Sequence, residues 1–350
     1  MIGRGVVGPL LALLVTLVSG ALLLLVTGHD PIMVGRVFVE RTLGRRSGIE
    51  ESLVAMTPIL IAALSAWVAA RVGLWNIGID GQVAVGALAA GALAPVLDGW
   101  PVIAMWGVVA LAGMAAGALW ALLPAVLRAR SGINEIVTTI MMTYVAFSLA
   151  SWLVKGPLKD DSIVAPATES IAIARRLPHL GDSRVHAGVV IALILAVLAW
   201  ALARWTVPGI LSRLVGEAPA AADRLAIPVT RYVIGAFLIS GAVAALAGVS
   251  EVLAVRGSVQ GDWRPALGLP AFAVLFLARR HAGWLVPAAF LLGLMAYASS
   301  VLPRSAGVAP DFFPLLEGIL LICLAVDAWR RRVSRDAPSG TVDGLPEARA

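Results

Sequence analysis

Gly73-Leu-Trp-Asn-Ile-Gly-Ile-Asp-Gly-Gln82 is a polar stretch punctuated by glycine, wedged between two apolar runs that are each long enough to enter a bilayer. No water is available in a hydrocarbon core, so backbone that leaves the helix there must be buried in protein or face a cavity. Asn76, Asp80 and Gln82 supply hydrogen-bonding groups, and Gly73, Gly78 and Gly81 let the chain turn. Discontinuous helices present binding groups near the membrane midplane in this way. The chemistry on offer is recognition of a polar solute along a pathway: a buried amide presents both a donor and an acceptor, and Trp75 adds a stacking face. The same residues also suit an ordinary interfacial loop, with Trp75 as an interfacial aromatic.

Asn134, Glu135 and Thr138 open another apolar run, and at helical spacing they can face one cavity. An ionisable group this close to lipid is a functional candidate by default. Glu135 also fits a structural role in a first helical turn, where an acid complements the helix dipole and Ser131 could cap. Glu251 and Glu317, near outer span ends, carry the same ambiguity. A further segment lies in a connection between runs. From Ala218 to Ala226 the chain is rich in alanine, with Pro219 near its start and Pro228 just beyond its end, the start and stop signals of a helix of about two turns. So short a helix is marginal alone and must dock on the membrane surface, on its own bundle or on a partner subunit.

The elements that must position these residues are spans. Apolar residues make up 60% of the 350, charged residues only 14%, and mean hydropathy is +0.92, which describes a polytopic membrane protein. Windows of roughly 20 apolar residues occur about ten times, giving an all-α transmembrane bundle. The eighth run, from Ala266 to Ala278, is short and follows the polar Gly257-Ser-Val-Gln-Gly-Asp262, so a broken or re-entrant span is expected there. Leu10 to Val26 reads as a retained first span. Short inner connections and the tail collect Arg71, Arg128, Arg130, Arg204, Arg213, Arg224, Arg231, Arg279 and Arg330 to Arg332, which places both termini in the cytoplasm. Two longer outer loops, 27 to 52 and 155 to 186, also carry basic residues and run against that assignment. Residues 1–335 form the membrane domain and 336–350 a disordered cytoplasmic tail.

Several chemistries are excluded. There is no Gly-x4-Gly-Lys-Ser/Thr phosphate loop, and Lys155 and Lys159 are the only lysines. The four histidines are scattered, no nucleophile elbow occurs, and Cys323 has no cysteine partner. The net charge of +6 is spread over short loops, a topology signal and no nucleic-acid surface. The chain is therefore not expected to hydrolyse ATP by phosphate-loop machinery, and its energy would come from a partner or an ion gradient.

Three blocks in order carry a family resemblance. Arg71-Val-Gly-Leu-Trp-Asn-Ile-Gly-Ile-Asp-Gly-Gln82 is similar to a Gly-Leu-Phe-Asn-Ile-Gly-x-Glu-Gly-Gln signature. Gly132-Ile-Asn-Glu-Ile-Val-Thr-Thr-Ile-Met-Met-Thr-Tyr144, continuing to Gly156-Pro157, is close to Gly-x-Asn-Glu-Val-x-Thr-Thr-Ile-Met-x-Asn. Val215-Gly-Glu-Ala-Pro-Ala-Ala-Ala222 is similar to a coupling segment. Together they resemble the permease subunit of ABC importers of the branched-chain amino acid and simple-sugar class, in particular its nucleoside-uptake branch, which works with basic membrane lipoproteins.

The resemblance implies a transport subunit of the plasma membrane that is not itself an enzyme, working with a cytoplasmic ATPase that holds ATP and Mg, an extracytoplasmic substrate-binding lipoprotein and a second, non-identical permease, with lipid around them. It assigns coupling to Gly216, Glu217, Pro219, Ala221 and Ala222, leaves the pathway to the polar residues named above, and implies no cofactor on this chain. The sequence departs from the family at Trp75, Asp80 and Thr143, and at Gly268-Leu-Pro-Ala-Phe272, where Pro270 and Phe272 replace small residues near the expected pathway. A sugar-specific importer is the nearest alternative, and a gradient-driven carrier, working alone, is the rival of another class.

Overall fold

The computed structural model describes residues 3–336 other than Arg280, and among them all regular structure is helical. Among the described residues, nine helices are long and apolar enough to cross a membrane. They are α1 (Gly3–Val26), α3 (Arg46–Arg71), α4 (Ile79–Val96), α5 (Val102–Ser131), α6 (Glu135–Lys155), α7 (Ala187–Trp205), α10 (Val229–Glu251), α12 (Ala282–Ala306) and α13 (Phe312–Asp336). Shorter helices join them: α2 (Pro31–Thr42), α8 (Val207–Glu217), α9 (Pro219–Arg224) and α11 (Gly268–Leu277).

The eighth apolar run is a broken crossing. Residues 257–267 run without helical structure, and α11 covers only the remaining depth. Nine helices and one broken crossing make an even count, which brings the start of α1 and the end of α13 to one face. A Cβ on Gly8 of α1 would fall 2.3 Å from the Asp327 carboxylate of α13, so the two terminal helices pack there closely.

Local chemistry sets the boundaries. Asp30 caps α2 by accepting a hydrogen bond from the Ile32 amide (2.8 Å), with Pro31 preset for the first turn. Gly132 ends α5 with φ of 65°, the left-handed conformation that glycine adopts without steric cost. The cap of α6 is Asn134, not Ser131, which remains the last residue of α5: the Asn134 side chain accepts from the Ile136 amide at 2.9 Å. The stretch 27–52, read as an outer loop, contains α2 and the first turns of α3. The expected tail begins at Asp336, and the remainder of it lies outside the described residues.

The core is built around α10, which lies between α4 and α5 by virtue of small residues. A Cβ on Gly248 would come within 2.0 Å of the Val83 carbonyl oxygen, one on Gly86 within 2.1 Å of the Ala245 carbonyl, and one on Gly117 within 2.4 Å of the Gly241 carbonyl. The Gly113/Gly117 pair therefore serves close packing, as small-residue motifs do where hydrophobic burial cannot drive helix association. At its outer end α10 widens into a π-turn, Val252–Arg256, where Arg256 pairs with Glu251 at 3.2 Å.

An outer collar, residues 156–186, is sewn to the π-turn and the stretch that follows it. Thr168 donates its amide to Val259 O (2.9 Å), Ile171 to Gly257 O (2.8 Å) and Leu177 to Leu253 O (2.9 Å). Arg175 pairs with Asp98 at 3.1 Å and donates to the carbonyls of Leu97 and Trp100. Several other basic residues of the outer loops are likewise ion-paired: Arg45 to Glu40, Arg46 to Glu50, Arg184 to Glu51 and Lys155 to Asp262. These pairings account for basic residues in loops that the positive-inside pattern places outside.

Candidate functional site

Residues 72–78 re-enter the bundle from the face that carries Arg71. Gly73 takes φ of 78°, and the chain then runs back beside α3 until α4 starts at Ile79. Asn76 lies at the centre of a buried polar knot. Its amide nitrogen donates to Gln82 Oε1 (2.8 Å) and to Ser240 Oγ (2.8 Å), while its oxygen accepts from the Gly78 amide (3.1 Å) and from Gln82 Nε2 (3.2 Å). Ser240 in turn meets the hydroxyl and carbonyl of Ser65, each at 2.9 Å. Ser65 precedes Arg71 by six residues, which puts the knot about 9 Å inside the helix end at about 1.5 Å per residue. Asn76 is 0% and Gln82 2% exposed. In this conformation their polar atoms are satisfied by protein, and the knot joins α3, α4 and α10.

Asp80 occupies a different surface. Its Oδ1 accepts from the amides of Leu267 (2.8 Å) and Gly268 (2.9 Å), at the start of α11, while Asp80 itself stands in the first turn of α4. Two helix N-termini thus converge on one carboxylate, which satisfies the first amides of α11. Asp80 also lines a hollow of ≈ 300 Å³ with Thr143, Tyr144, Phe147 and Arg264. A second hollow of ≈ 700 Å³ shares Phe147 and Arg264 and continues along Ser148 and Ser151 to the Lys155 and Asp262 pair, which closes at 2.6 Å near the outer rim. The Arg264 guanidinium lies 5.4 Å over the Phe147 ring. The two hollows form a groove that runs along α6 from the outer rim to Asp80 and is open on one flank.

Of the other sequence candidates, Trp75 is stacked with Phe276 (5.6 Å) and near Phe272 (6.0 Å), tying the re-entrant stretch to α11. Asn134 serves as the α6 cap, Glu135 is buried and paired with Arg128 (3.2 Å), and Thr138 bonds backward to the Glu135 carbonyl (3.1 Å). These three sit at the Arg128 end of α6, away from the groove residues. Thr143, Tyr144, Phe147 and Arg264 were missed as a set. The signal was present for α6, since residues 140, 143, 144, 147 and 151 share one helical face that carries hydroxyl and aromatic groups within an apolar run. Arg264 had no signal, because only the tertiary fold returns the stretch after α10 to α6.

The cytoplasmic segment is two helices, where the sequence indicated one. α8 is a separate helix capped by Thr206, whose hydroxyl accepts from the Gly209 amide (3.2 Å), and α9 is a single turn and a half rather than the expected span from Ala218 to Ala226. Pro219, Ala221 and Glu217 are exposed, Ala222 is buried against the bundle, and Gly216 lies against Gly73 and Arg71 of the same chain.

Comparison with known proteins places this arrangement. Residues 48–325 match the family model described as the branched-chain amino acid transport system permease component. The guanosine ABC transporter permease protein NupP of Bacillus subtilis is 30% identical over 326 residues, covering 91% of this chain and 92% of that protein. The glucose ABC transporter permease protein TsgB13 of Haloferax volcanii is 29% identical over 357 residues, covering 96% and 93%. The nucleoside ABC transporter permease protein NupB of Lactococcus lactis is 26% identical over 333 residues, covering 92% and 91%.

Proposed function

The chain belongs to the permease-component family of branched-chain amino acid transport systems, a multi-pass plasma-membrane subunit of an ABC transporter, and from that premise we propose that it imports nucleosides. The observation that carries this reading is the open groove along α6. Thr143, Ser148, Ser151, Arg264 and Asp80 place polar and charged groups at bilayer depth on a flank that lipid would not solvate. A second permease subunit, non-identical to this one, would close that flank and convert the groove into a path. Phe147, Tyr144 and the Arg264 plane offer stacking surfaces to a base, and Thr143 and Asp80 offer hydrogen bonds to ribose hydroxyls. Similarity to guanosine and nucleoside permeases supports the same solute class.

ATP and Mg belong to the cytoplasmic ATPase, and an extracytoplasmic lipoprotein delivers solute to the outer collar. ATP binding favours one conformation of the ATPase, and exposed α9, through Pro219, Ala221 and Glu217, passes that bias to the bundle. The glucose permease relative favours a second reading, a sugar importer. Uptake of labelled guanosine into cells expressing the complete transporter decides between them. Adenosine and guanosine should compete while ribose and glucose do not, and Phe147→Ala should lower flux about tenfold, in line with a lost stacking contact of about 1–3 kcal/mol. Competition by free sugars alone would replace the nucleoside with a sugar.

A further inference from the structure

We propose that Arg71 is a positioning residue for energy coupling, fastening the α8–α9 segment to the re-entrant stretch that leads to Asp80, so that motion of one moves the other. The inference rests on the reading of α9 as the contact for the ATPase. Arg71 is the last residue of α3, and its guanidinium reaches the elbow between α7 and α8: Nε donates to Ser212 Oγ (3.1 Å), and the terminal nitrogen donates to the carbonyls of Gly209 and Ala203. A planar fork suits three acceptors set around one elbow, which an ammonium cannot match with the same geometry. The side chain is itself held over Trp67, 5.1 Å from the ring centre, one helical turn back.

Backbone packing joins the same two segments. A Cβ on Gly216 would lie 2.2 Å from Arg71 O and 2.8 Å from Gly73 N, so the end of α8 lies directly on the turn that starts the re-entrant stretch. Around it Val72, Leu74, Val215 and Ala222 share one apolar cluster with Ala125 and Phe237. Beyond Leu74 the stretch has no slack: Trp75 is stacked, Asn76 is the centre of the polar knot, and Asp80 holds the first amides of α11. Displacement of α8 is therefore delivered over ten residues to the carboxylate that lines the groove. The acceptors at Ser212, Gly209 and Ala203 all lie around the α7–α8 elbow.

The test uses the assembled transporter in proteoliposomes: the labelling arm carries Thr143→Cys as a groove reporter in a Cys323→Ala background, while hydrolysis and guanosine uptake are measured with Thr143 intact. With Arg71 present, ATP plus vanadate should change the labelling rate of Thr143→Cys. In Arg71→Met that change should be lost, ATP hydrolysis should stay within about twofold of the parent, and ATP consumed per guanosine should rise about tenfold. Arg71→Lys should recover part of the response, and Ser212→Ala should show the same defect more weakly. Parental labelling responses in Arg71→Met, or hydrolysis and transport falling in proportion, would overturn the proposal. If Arg71→Met does not assemble, Arg71→Lys and Ser212→Ala decide, and a full ATP response in both overturns it. Absence of guanosine uptake in the parent would instead sink the nucleoside reading, while the labelling response still tests Arg71.

Discussion

His186 closes the outer end of α7 as its N-cap, with Nδ1 accepting from the Gly188 amide at 3.1 Å. The ring is 2% exposed, its Nε2 has no protein partner, and His179 sits opposite across a bridged pair of backbones. Burial first, and the like charge of His179 second, hold the His186 pKa down at about 4, against 6.5. The neutral ring is thus the form that the fold accepts, and below pH 6.5 the unfolded chain binds the extra proton. Stability contributed at this site is complete above about pH 6.5 and declines as pH falls toward 4. Replacing His186 with Asn keeps a capping acceptor and removes the titration. Melting of the purified protein should show a steeper loss between pH 7 and 4.5 for the parent than for His186→Asn, and parallel curves would contradict the assignment. At the same scale, Asn76 shows that a polar residue in a membrane bundle can be spent wholly on neighbouring side chains.

At the scale of elements, the decisive contact is the seat of α10 between α4 and α5. Gly248 leaves no room for a methyl group beside Val83 O, whereas a Cβ on Gly107, on α5, meets nothing within 4 Å. Backbone cannot yield as a flexible side chain can, so Gly248→Val must separate α10 from α4 and expose the polar knot. Detergent extraction followed by size-exclusion chromatography should give aggregated or absent Gly248→Val and normal, monodisperse Gly107→Ala. A well-behaved Gly248→Val would show that the two helices are less tightly seated than the carbonyl distance requires. The broken crossing has a comparable logic: α11 stops short of a full span, and its first amides are satisfied by Asp80 instead of by a preceding helical turn.

At the scale of the whole molecule, the outer collar and the exposed turn of α9 lie at opposite ends of the bundle. Ala221 is exposed, so a charged side chain there is accommodated by the isolated chain but would be forced into a packed contact at the proposed ATPase interface. Ala221→Glu should fold and extract normally yet lose co-purification of the ATPase, and retention of the ATPase with wild-type uptake would remove α9 from that interface. Gly216→Trp is a different experiment, because bulk there collides with Arg71 and Gly73 of the same chain and disturbs the bundle itself.

From its sequence alone, this protein was determined as a helical, multi-pass permease: spans, the short eighth run and the ordered motif blocks are all signals carried within one stretch of chain. Apolar length, a glycine after a helix and a proline at its start act locally, so they are legible without a partner. What only the tertiary structure decided is which polar residues face the groove and which face each other. Asn76, Asp80 and Gln82 look equivalent in a string of letters. Ser240, 164 residues from Asn76, and Gly268, 188 residues from Asp80, are what separate them. A hydrogen-bonding group in a bilayer must find a partner, and whether that partner is protein or solute is set by residues distant in sequence that packing brings within 3 Å.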